Sequence, residues 1–244
     1  MTDTAVTAGE TWVDIDAFAC IVAYVELLQL EGKQAEAVIP GNLNNSIPSE
    51  LQKLGSFRTS PSHADAEVVL VDISDPAHVS GFVRPELVRE VYDHHLGFDN
   101  YWRERERIGQ NTHIEFIGAC ATLIWEEFVK RGLRDRISQN SATLLAAAIV
   151  SNTLNFKASM TDARDCRAFE ELSRIANLPA DFIANYFQAC EAETLQDISE
   201  AIENDTKHKD LPNLGITLTI GQCELWNSSD FIRDNANLIR ATLS

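Results

Sequence analysis

The amino-acid sequence predicts an α/β fold, with a doubly wound, mainly parallel sheet followed by a small, truncated α/β unit at the C-terminus. Short apolar segments alternate with longer helical segments along the chain, which is typical of a parallel sheet covered by helices. The segment Glu67–Asp72 is an almost continuous apolar, β-branched run, as in a strand that is buried on both faces.

The first half of the chain supplies the strands of this predicted sheet. Each is a short apolar run bounded by polar or turn-forming residues. We expect strands at Thr4–Thr7, Ala35–Ile39, Glu67–Asp72, Val88–Val91 running into Asp93, and Thr112–Ile117. Glycines at the ends of helical patterns predict where the first helices stop. The helices expected here are Ala17–Leu30 before Gly32, Ser49–Leu54 before Gly55, and Pro85–Arg89.

The second half is mostly helical. The helical segments are Ala121–Arg131, a helix capped by Asn140-Ser141 and running to Val150, Thr161–Ala176, the acidic stretch Pro179–Asp205, and Phe231–Leu243. A strand is expected at Gly215–Gly221. Because composition changes after Asn177, we predict three parts: residues 1–178, a helical linker over 179–204, and an incomplete unit over 205–244.

Bulk composition limits the classes of partner. The chain has 244 residues, 45% of them hydrophobic, which is enough for a sizeable core. A formal net charge of -17 argues against binding to duplex nucleic acid or to an anionic membrane. The five cysteines lack paired spacing, and Met1–Glu10 lacks the apolar core of a signal peptide. We therefore expect a cytoplasmic protein with reduced cysteines.

Acidic residues follow three of the apolar segments. These are Asp14 and Asp16 near the N-terminus, Asp72 after the central run, and Asp93-His94-His95. Strand ends of an open α/β sheet are where ligands bind, and carboxylate with imidazole suits a divalent cation. Simpler interpretations stay open: the first two acids as helix caps, Asp72 as a turn residue, and the histidines as loop residues.

The order of these motifs resembles the DHH phosphoesterase superfamily. Two further segments carry the resemblance, Gly118–Thr122 and Ala148–Lys157, the latter most similar to the manganese-dependent (family II) inorganic pyrophosphatases and related exopolyphosphatases. Asp205-Thr206-Lys207 followed by Ile216–Gln222 resembles the start of a DHHA2 domain. The resemblance implies a DHH catalytic domain over 1–178 and a partial DHHA2-like domain over 205–244.

What the resemblance implies for the site is a pair of Mn²⁺ or Mg²⁺ ions that activate a water for attack on phosphorus. Asp14 would bind the first metal, Asp16 and His94 the second, and Asp72 both. His95 and Lys207 would be the catalytic residues that contact phosphate. The implied substrate is a small phosphorylated compound, such as pyrophosphate or short polyphosphate.

This sequence departs from the family's pattern at two implied ligands. Glu10 stands where the family has a His, and Asn152 stands where it has an Asp. One hypothesis is a rearranged, oxygen-rich site that includes both residues and favours Mg²⁺ over Mn²⁺. The other is a site that holds one metal or none. Asp72 is also followed by Ile73-Ser74 rather than His-Asn, and the basic cluster that ends a full DHHA2 domain is absent from the sequence.

Two alternative functions stay open. A phosphodiesterase for oligonucleotides or cyclic dinucleotides would resemble relatives with a DHHA1 domain, but the glycine-rich Gly-Gly-Gly-His type motif of that domain is absent here. A catalytically impaired DHH-fold binding protein would explain the departures at Glu10 and Asn152. The oligomeric state is left open, with a homodimer as the candidate assembly.

Overall fold

The computed structural model describes residues 4–204, 206–223 and 225–243, with the side chains of 207–209 outside the described part. Its centre is a parallel five-stranded sheet in the order β3-β1-β5-β6-β7. These strands are β1 (Thr4–Thr7), β3 (Ala35–Ala37), β5 (Glu67–Val71), β6 (Val88–Asp93) and β7 (Thr112–Ile114). The predicted α/β class with a mainly parallel sheet is confirmed.

Two smaller strand pairs accompany the sheet. The short strands β2 (Trp12–Val13) and β4 (Asn42–Leu43) pair in parallel. The strands β8 (Thr206–Leu211) and β9 (Ile216–Gly221) form an antiparallel hairpin. The helices are α1 (Ile15–Leu30), α2 (Ser49–Gln52), α3 (Asp99–Arg103), α4 (Cys120–Lys130), α5 (Gln139–Asn152), α6 (Ala163–Ala176), α7 (Phe182–Thr194), α8 (Ile198–Glu203) and α9 (Ser228–Thr242).

Both faces of the sheet are buried, because alternate residues of a strand point to opposite sides. Val69 and Val71 of β5 belong to the larger core, which contains residues of α1, α4 and α5. Val68 and Leu70 belong to a second cluster with Trp102. Burial on both sides explains why β5 reads as a continuous apolar run rather than an alternating one.

Helices α1 and α5 are the most deeply buried helices of the larger core. Most positions of each are inaccessible to solvent, including Phe18 and Tyr24 in α1 and Leu144 and Ile149 in α5. A helix that is apolar on all sides must be enclosed by other elements. Among the helices in the described ranges, none combines the length and the apolar run that a membrane crossing requires.

The chain reverses its direction of winding between β1 and β5. From β1 it passes to β3 at one edge, and then returns to β5, β6 and β7 on the other side. Such a reversal leaves a crevice at the carboxyl ends of the two central strands. Asp14, after β2, and Asp72, after β5, are placed at this level of the fold.

The segment after residue 178 packs on the rest of the chain. In α7, Tyr186, Phe187 and Cys190 belong to the larger core, and the Tyr186 hydroxyl donates to the Ser46 carbonyl oxygen at 2.8 Å. The helices α7 and α8 therefore occupy the predicted linker over 179–204, and the domain boundaries stay a prediction.

Several predicted elements differ from the observed ones. The strand expected at Thr112–Ile117 ends at Ile114, because the chain turns towards α4. The predicted cap of α5 at Asn140-Ser141 is wrong: Ser138 is the cap, and its hydroxyl accepts from the Ser141 amide. The strands β2, β4 and β8 and the helix α3 were not predicted.

Candidate metal centre

The ends of β5 and β6 bring three side chains together at the carboxyl edge of the sheet. One ligand atom each from Asp72, His94 and His95 lies within 4.8 Å of the other two. The Asp72 amide donates to the Tyr92 carbonyl oxygen at 2.8 Å, which fixes the turn after β5 against β6. Asp72 adopts a φ of 57°, a left-handed conformation that Asp tolerates better than most residues.

His94 is oriented by a backbone carbonyl. Its Nδ1 lies 3.1 Å from the Ile117 carbonyl oxygen, and a carbonyl accepts only, so Nδ1 carries the proton. In the neutral ring, Nε2 is then an acceptor with a free lone pair. A hydrogen bond at the far nitrogen is the usual way in which proteins orient a metal-binding imidazole.

The Nε2 atom of His94 faces a buried carboxylate oxygen. Asp72 Oδ1 lies 3.4 Å away, is buried, and has no hydrogen-bond partner in the part of the chain that the structure describes. Two ligands at ~2.1 Å from one ion, with an angle of about 90–110° between them, are themselves roughly 3.0–3.4 Å apart. The two atoms therefore fit a divalent cation.

Asp16 is the third buried group near His94. Its Oδ2 lies 3.9 Å from Nε2 of His94, and its side chain is fully buried. The first amides of α4 hold this carboxylate: Cys120 N donates to Oδ2 and Ala121 N donates to Oδ1, both at 2.8 Å. The segment Gly118–Thr122 thus positions an acid through its backbone, which explains its small residues.

The acidic side chains near His94 repel one another electrostatically. Burial raises the pKa of Asp16 from 3.8 to about 6, against the opposing effect of His94. Burial, followed by the negative charges of Asp16 and Asp14, raises the pKa of Asp72 well above its ordinary value. Groups of one sign that are crowded into a buried site call for a counter-charge, and a divalent cation would supply it.

Asp93 orients His95. Its Oδ1 accepts from the amides of His94 at 2.8 Å and His95 at 3.1 Å, and from His95 Nδ1 at 2.8 Å. Burial alone would raise the pKa of Asp93, but the hydrogen bonds from His95 outweigh it and the pKa is lowered. The contact with Nδ1 fixes the orientation of the exposed His95 ring at the edge of the cluster. Sequence analysis identifies Asp93 only as part of the Asp-His-His triplet and does not predict this positioning role.

The other predicted site residues differ in their placement. Asp14 is the N-cap of α1, where its Oδ1 accepts from the Ala17 amide at 2.9 Å, so the helix-cap interpretation holds for this oxygen. Glu10 is exposed, and its carboxylate has no hydrogen-bond or ion-pair partner among the described residues. The structure does not bring Glu10 into the cluster.

Asn152 lies at the end of α5, close to the turn that orients His94. A Cβ at Gly118 would lie 2.7 Å from Cγ2 of Thr153, the residue after Asn152. Gly118 itself follows Ile117, whose carbonyl oxygen contacts His94. Lys207 belongs to β8, and its side chain lies outside the described part of the structure.

No family model matches the chain. A protein named "Probable manganese-dependent inorganic pyrophosphatase" from Lactobacillus gasseri is 28% identical over 68% of this chain and 52% of its own length. One with the same name from Clostridium acetobutylicum is 24% identical over 85% of this chain and 66% of its own length. The chain thus spans about half the length of the first curated relatives it matches.

Solved structures share the fold. A Methanococcus jannaschii protein assigned to the family II inorganic pyrophosphatases superposes with a TM-score of 0.74 at 23% identity, over 98% of this chain and 77% of its own. An exopolyphosphatase-related protein from Bacteroides fragilis gives a TM-score of 0.65 at 15% identity, over 100% of this chain and 72% of its own. The predicted resemblance to the DHH phosphoesterases, and within them to the family II pyrophosphatases, is confirmed.

Proposed function

We propose that this chain is a metal-dependent phosphohydrolase that acts on a phosphoanhydride or phosphoester such as pyrophosphate or short polyphosphate. The observation that carries the proposal is the buried pair Asp72 Oδ1 and His94 Nε2, which lie 3.4 Å apart, with no hydrogen-bond partner for that oxygen among the described residues. The names of the relatives supply the reaction class and the preference for manganese.

In this proposal, Asp14, Asp16, Asp72 and His94 would bind Mn²⁺ or Mg²⁺ through carboxylate oxygens and the imidazole Nε2. The ions would lower the pKa of a water and neutralise charge on the phosphoryl group. Asp93 fixes the His95 ring, so that Nε2 positions the phosphate or protonates the leaving group. Lys207 would contact a second phosphate oxygen from β8.

Glu10 and Asn152 are two members of the proposed ligand set that lie outside the cluster of Asp72, His94 and His95. Asn152 is close to the turn at Ile117–Gly118 and offers an amide oxygen, whereas Glu10 is exposed and lies outside the cluster. Metal titration of Glu10→Ala and Asn152→Ala tests both. Unchanged affinity in both variants would rule out the rearranged, oxygen-rich site.

The activity test is phosphate release from pyrophosphate, tripolyphosphate and dinucleotides with Mn²⁺, Mg²⁺ or Co²⁺. We expect release from at least one phosphoanhydride, and a loss of at least 100-fold in Asp72→Asn, since this change removes a metal ligand. Asp135→Asn, an exposed acid outside the cluster, is the matched control. Release that is equal in Asp72→Asn and Asp135→Asn would contradict the proposal.

A second candidate function is a metal-binding protein with the same fold and little turnover. The exposed Glu10 at the position of a family ligand favours it. Calorimetric titration with Mn²⁺ separates the candidates: saturable binding without phosphate release from any substrate supports the binding protein, and no binding contradicts both.

A further inference from the structure

A cavity separate from the metal-binding residues lies between the β2–β4 strand pair and the segment that joins α7 to α8. Its volume is about 560 Å³, within the range of small-molecule sites. Its ten lining residues include Trp12, Glu193, Asp197, Glu200 and Asn204. Three of them are acidic, five carry amides, and none of the ten is a Lys, Arg or His.

The three carboxylates have no counter-charge among the described residues. Glu193 accepts from the amide and the hydroxyl of Ser49, and Asp197 accepts from the Glu200 amide as the cap of α8. Neither has an ion-pair partner, and the Glu200 carboxylate has neither ion pair nor hydrogen bond in the described ranges. Their combined field repels phosphate and attracts cations. Among the described residues, nothing at this cavity supplies the positive charge that the phosphate groups of the proposed substrate would require.

A buried amide provides an independent sign of a ligand. Asn204 is 7% exposed, yet its side chain has no hydrogen-bond partner in the part of the chain that the structure describes. The Asn204 amide is not fully enclosed, because it lines an open cavity whose water can be replaced by the polar groups of a ligand. Asn204 faces the cavity, where a bound ligand would satisfy it.

Trp12 favours an organic cation over a metal ion as the ligand of this cavity. The half-buried indole ring has no aromatic or cationic partner among the described residues. Aromatic faces attract ammonium and guanidinium groups, and carboxylates and amide oxygens accept their N–H groups. The volume and the aromatic wall suit an extended organic cation better than a single hydrated metal ion.

We propose that this cavity binds a small organic cation with two or more ammonium groups, through Glu200, Glu193 and Asn204, against the ring of Trp12. Such a ligand would also contact the strand that leads into the metal-binding residues. Trp12 lies two positions before Asp14, and the Asn44 amide donates to the Val13 carbonyl oxygen at 3.0 Å. The proposal does not depend on phosphohydrolase activity.

The test is calorimetric titration of the full chain with spermidine at 150 mM salt. We expect saturable binding with one molecule per chain, weakened about five- to tenfold in Glu200→Gln, since a hydrogen bond to a charged group is lost. Glu203→Gln is the matched control, because Glu203 is an exposed acid of the same helix outside the cavity lining. It removes the same charge, and we expect less than a twofold change.

A second variant, Asn204→Leu, removes the buried amide without opening space. We expect weaker spermidine binding with a circular dichroism spectrum like that of the wild type. Binding that is absent, or that falls equally in Glu200→Gln and Glu203→Gln, would overturn the proposal, because it would reflect only the overall negative charge. Displacement of spermidine by equimolar Mg²⁺ would overturn it as well, since a simple inorganic cation would then suffice.

Discussion

At the scale of single residues, Asp72 has opposite consequences for stability and for metal binding. Its buried Oδ1 has no hydrogen-bond partner among the described residues, which is unfavourable in the metal-free protein and favourable for a cation. Residues that serve function at the expense of stability are common at active sites.

We predict that Asp72→Asn stabilises the metal-free protein by about 1–3 kcal/mol, since the buried charge is removed and the new amide can donate to His94 Nε2. The same variant should lose the stabilisation that Mn²⁺ gives the wild type, about 2.7 kcal/mol at 100 times the dissociation constant. Urea denaturation with and without Mn²⁺ measures both. A variant that is less stable without metal, or equally stabilised by it, contradicts the prediction.

Asp16 predicts how the stability of the metal-free protein depends on pH. Its pKa rises from 3.8 to about 6 on folding, so the folded state binds this proton more tightly than the unfolded state. Stability therefore falls as the pH rises from about 4 to above 6, by about 3 kcal/mol from this group.

The matched measurement is the difference between wild type and Asp16→Asn across that pH range, in EDTA. We expect the slope to be flatter in the variant, whatever its absolute stability, which also reflects altered contacts with the amides of Cys120 and Ala121. Parallel curves for the two proteins would show that Asp16 does not titrate in this range.

The sequence was sufficient to predict some of these residues and not others. Asp72, His94 and His95 follow apolar strands, and the parallel topology brings such strand ends to one edge. Glu10 stands where the family has a His, but the direction of its side chain depends on a loop whose conformation local sequence does not determine. The role of Asp93 depends on hydrogen bonds that only the folded turn reveals.

At the scale of secondary structure, the turn before α4 joins the site to the core. Gly118 donates its amide to Asp165 Oδ2 at 3.1 Å, and Asp165 also accepts from the Thr122 hydroxyl at 2.6 Å. This turn holds Ile117, which orients His94, and the first amides of α4, which hold Asp16. Close packing at one glycine thus determines the position of two proposed ligands.

We predict that Gly118→Ala destabilises the protein by about 1–3 kcal/mol and weakens Mn²⁺ binding. The added Cβ would lie 2.5 Å from Asp165 Oδ2 and 2.7 Å from Thr153 Cγ2, so the turn must move. Gly81→Ala is the control, because nothing lies within 4 Å of its Cβ position and no positive φ is recorded there.

Chemical denaturation and Mn²⁺ titration of both variants provide the test. Equal effects in the two would show that the turn tolerates displacement.

The strands that the sequence did not predict share a physical cause. β2 and β4 have two residues each, too few for any periodicity, and their pairing depends on chain segments about thirty residues apart. β8 reads Thr-Lys-His-Lys-Asp-Leu, which lacks the apolar alternation of a half-buried strand. It forms because β9 pairs with it along its whole length, a tertiary effect that overrides local propensity.

At the scale of the whole molecule, the net charge affects both stability and the approach of the proposed substrate. The formal net charge of -17 repels itself and repels phosphate anions. Some acids are held in ion pairs: Arg131, for example, lies between Glu31, Glu90 and Glu127 in a partly buried network that also contains Tyr24. The remaining acids are mostly exposed and depend on screening by salt.

We predict that the metal-free protein becomes more stable as NaCl rises from about 10 to 150 mM, since the Debye length shortens from roughly 30 to 8 Å and repulsion between exposed acids falls. At equal ionic strength, Mn²⁺ should add a further rise in Tm, because the proposed site contributes binding energy beyond screening. Asp72→Asn should keep the NaCl effect and lose the additional effect of Mn²⁺.

Thermal denaturation of both proteins in NaCl, in MnCl₂ and in CaCl₂ of matched ionic strength separates the two contributions. An equal rise in all salts would attribute the whole effect to screening, and would leave the acids at the edge of the sheet without a bound cation.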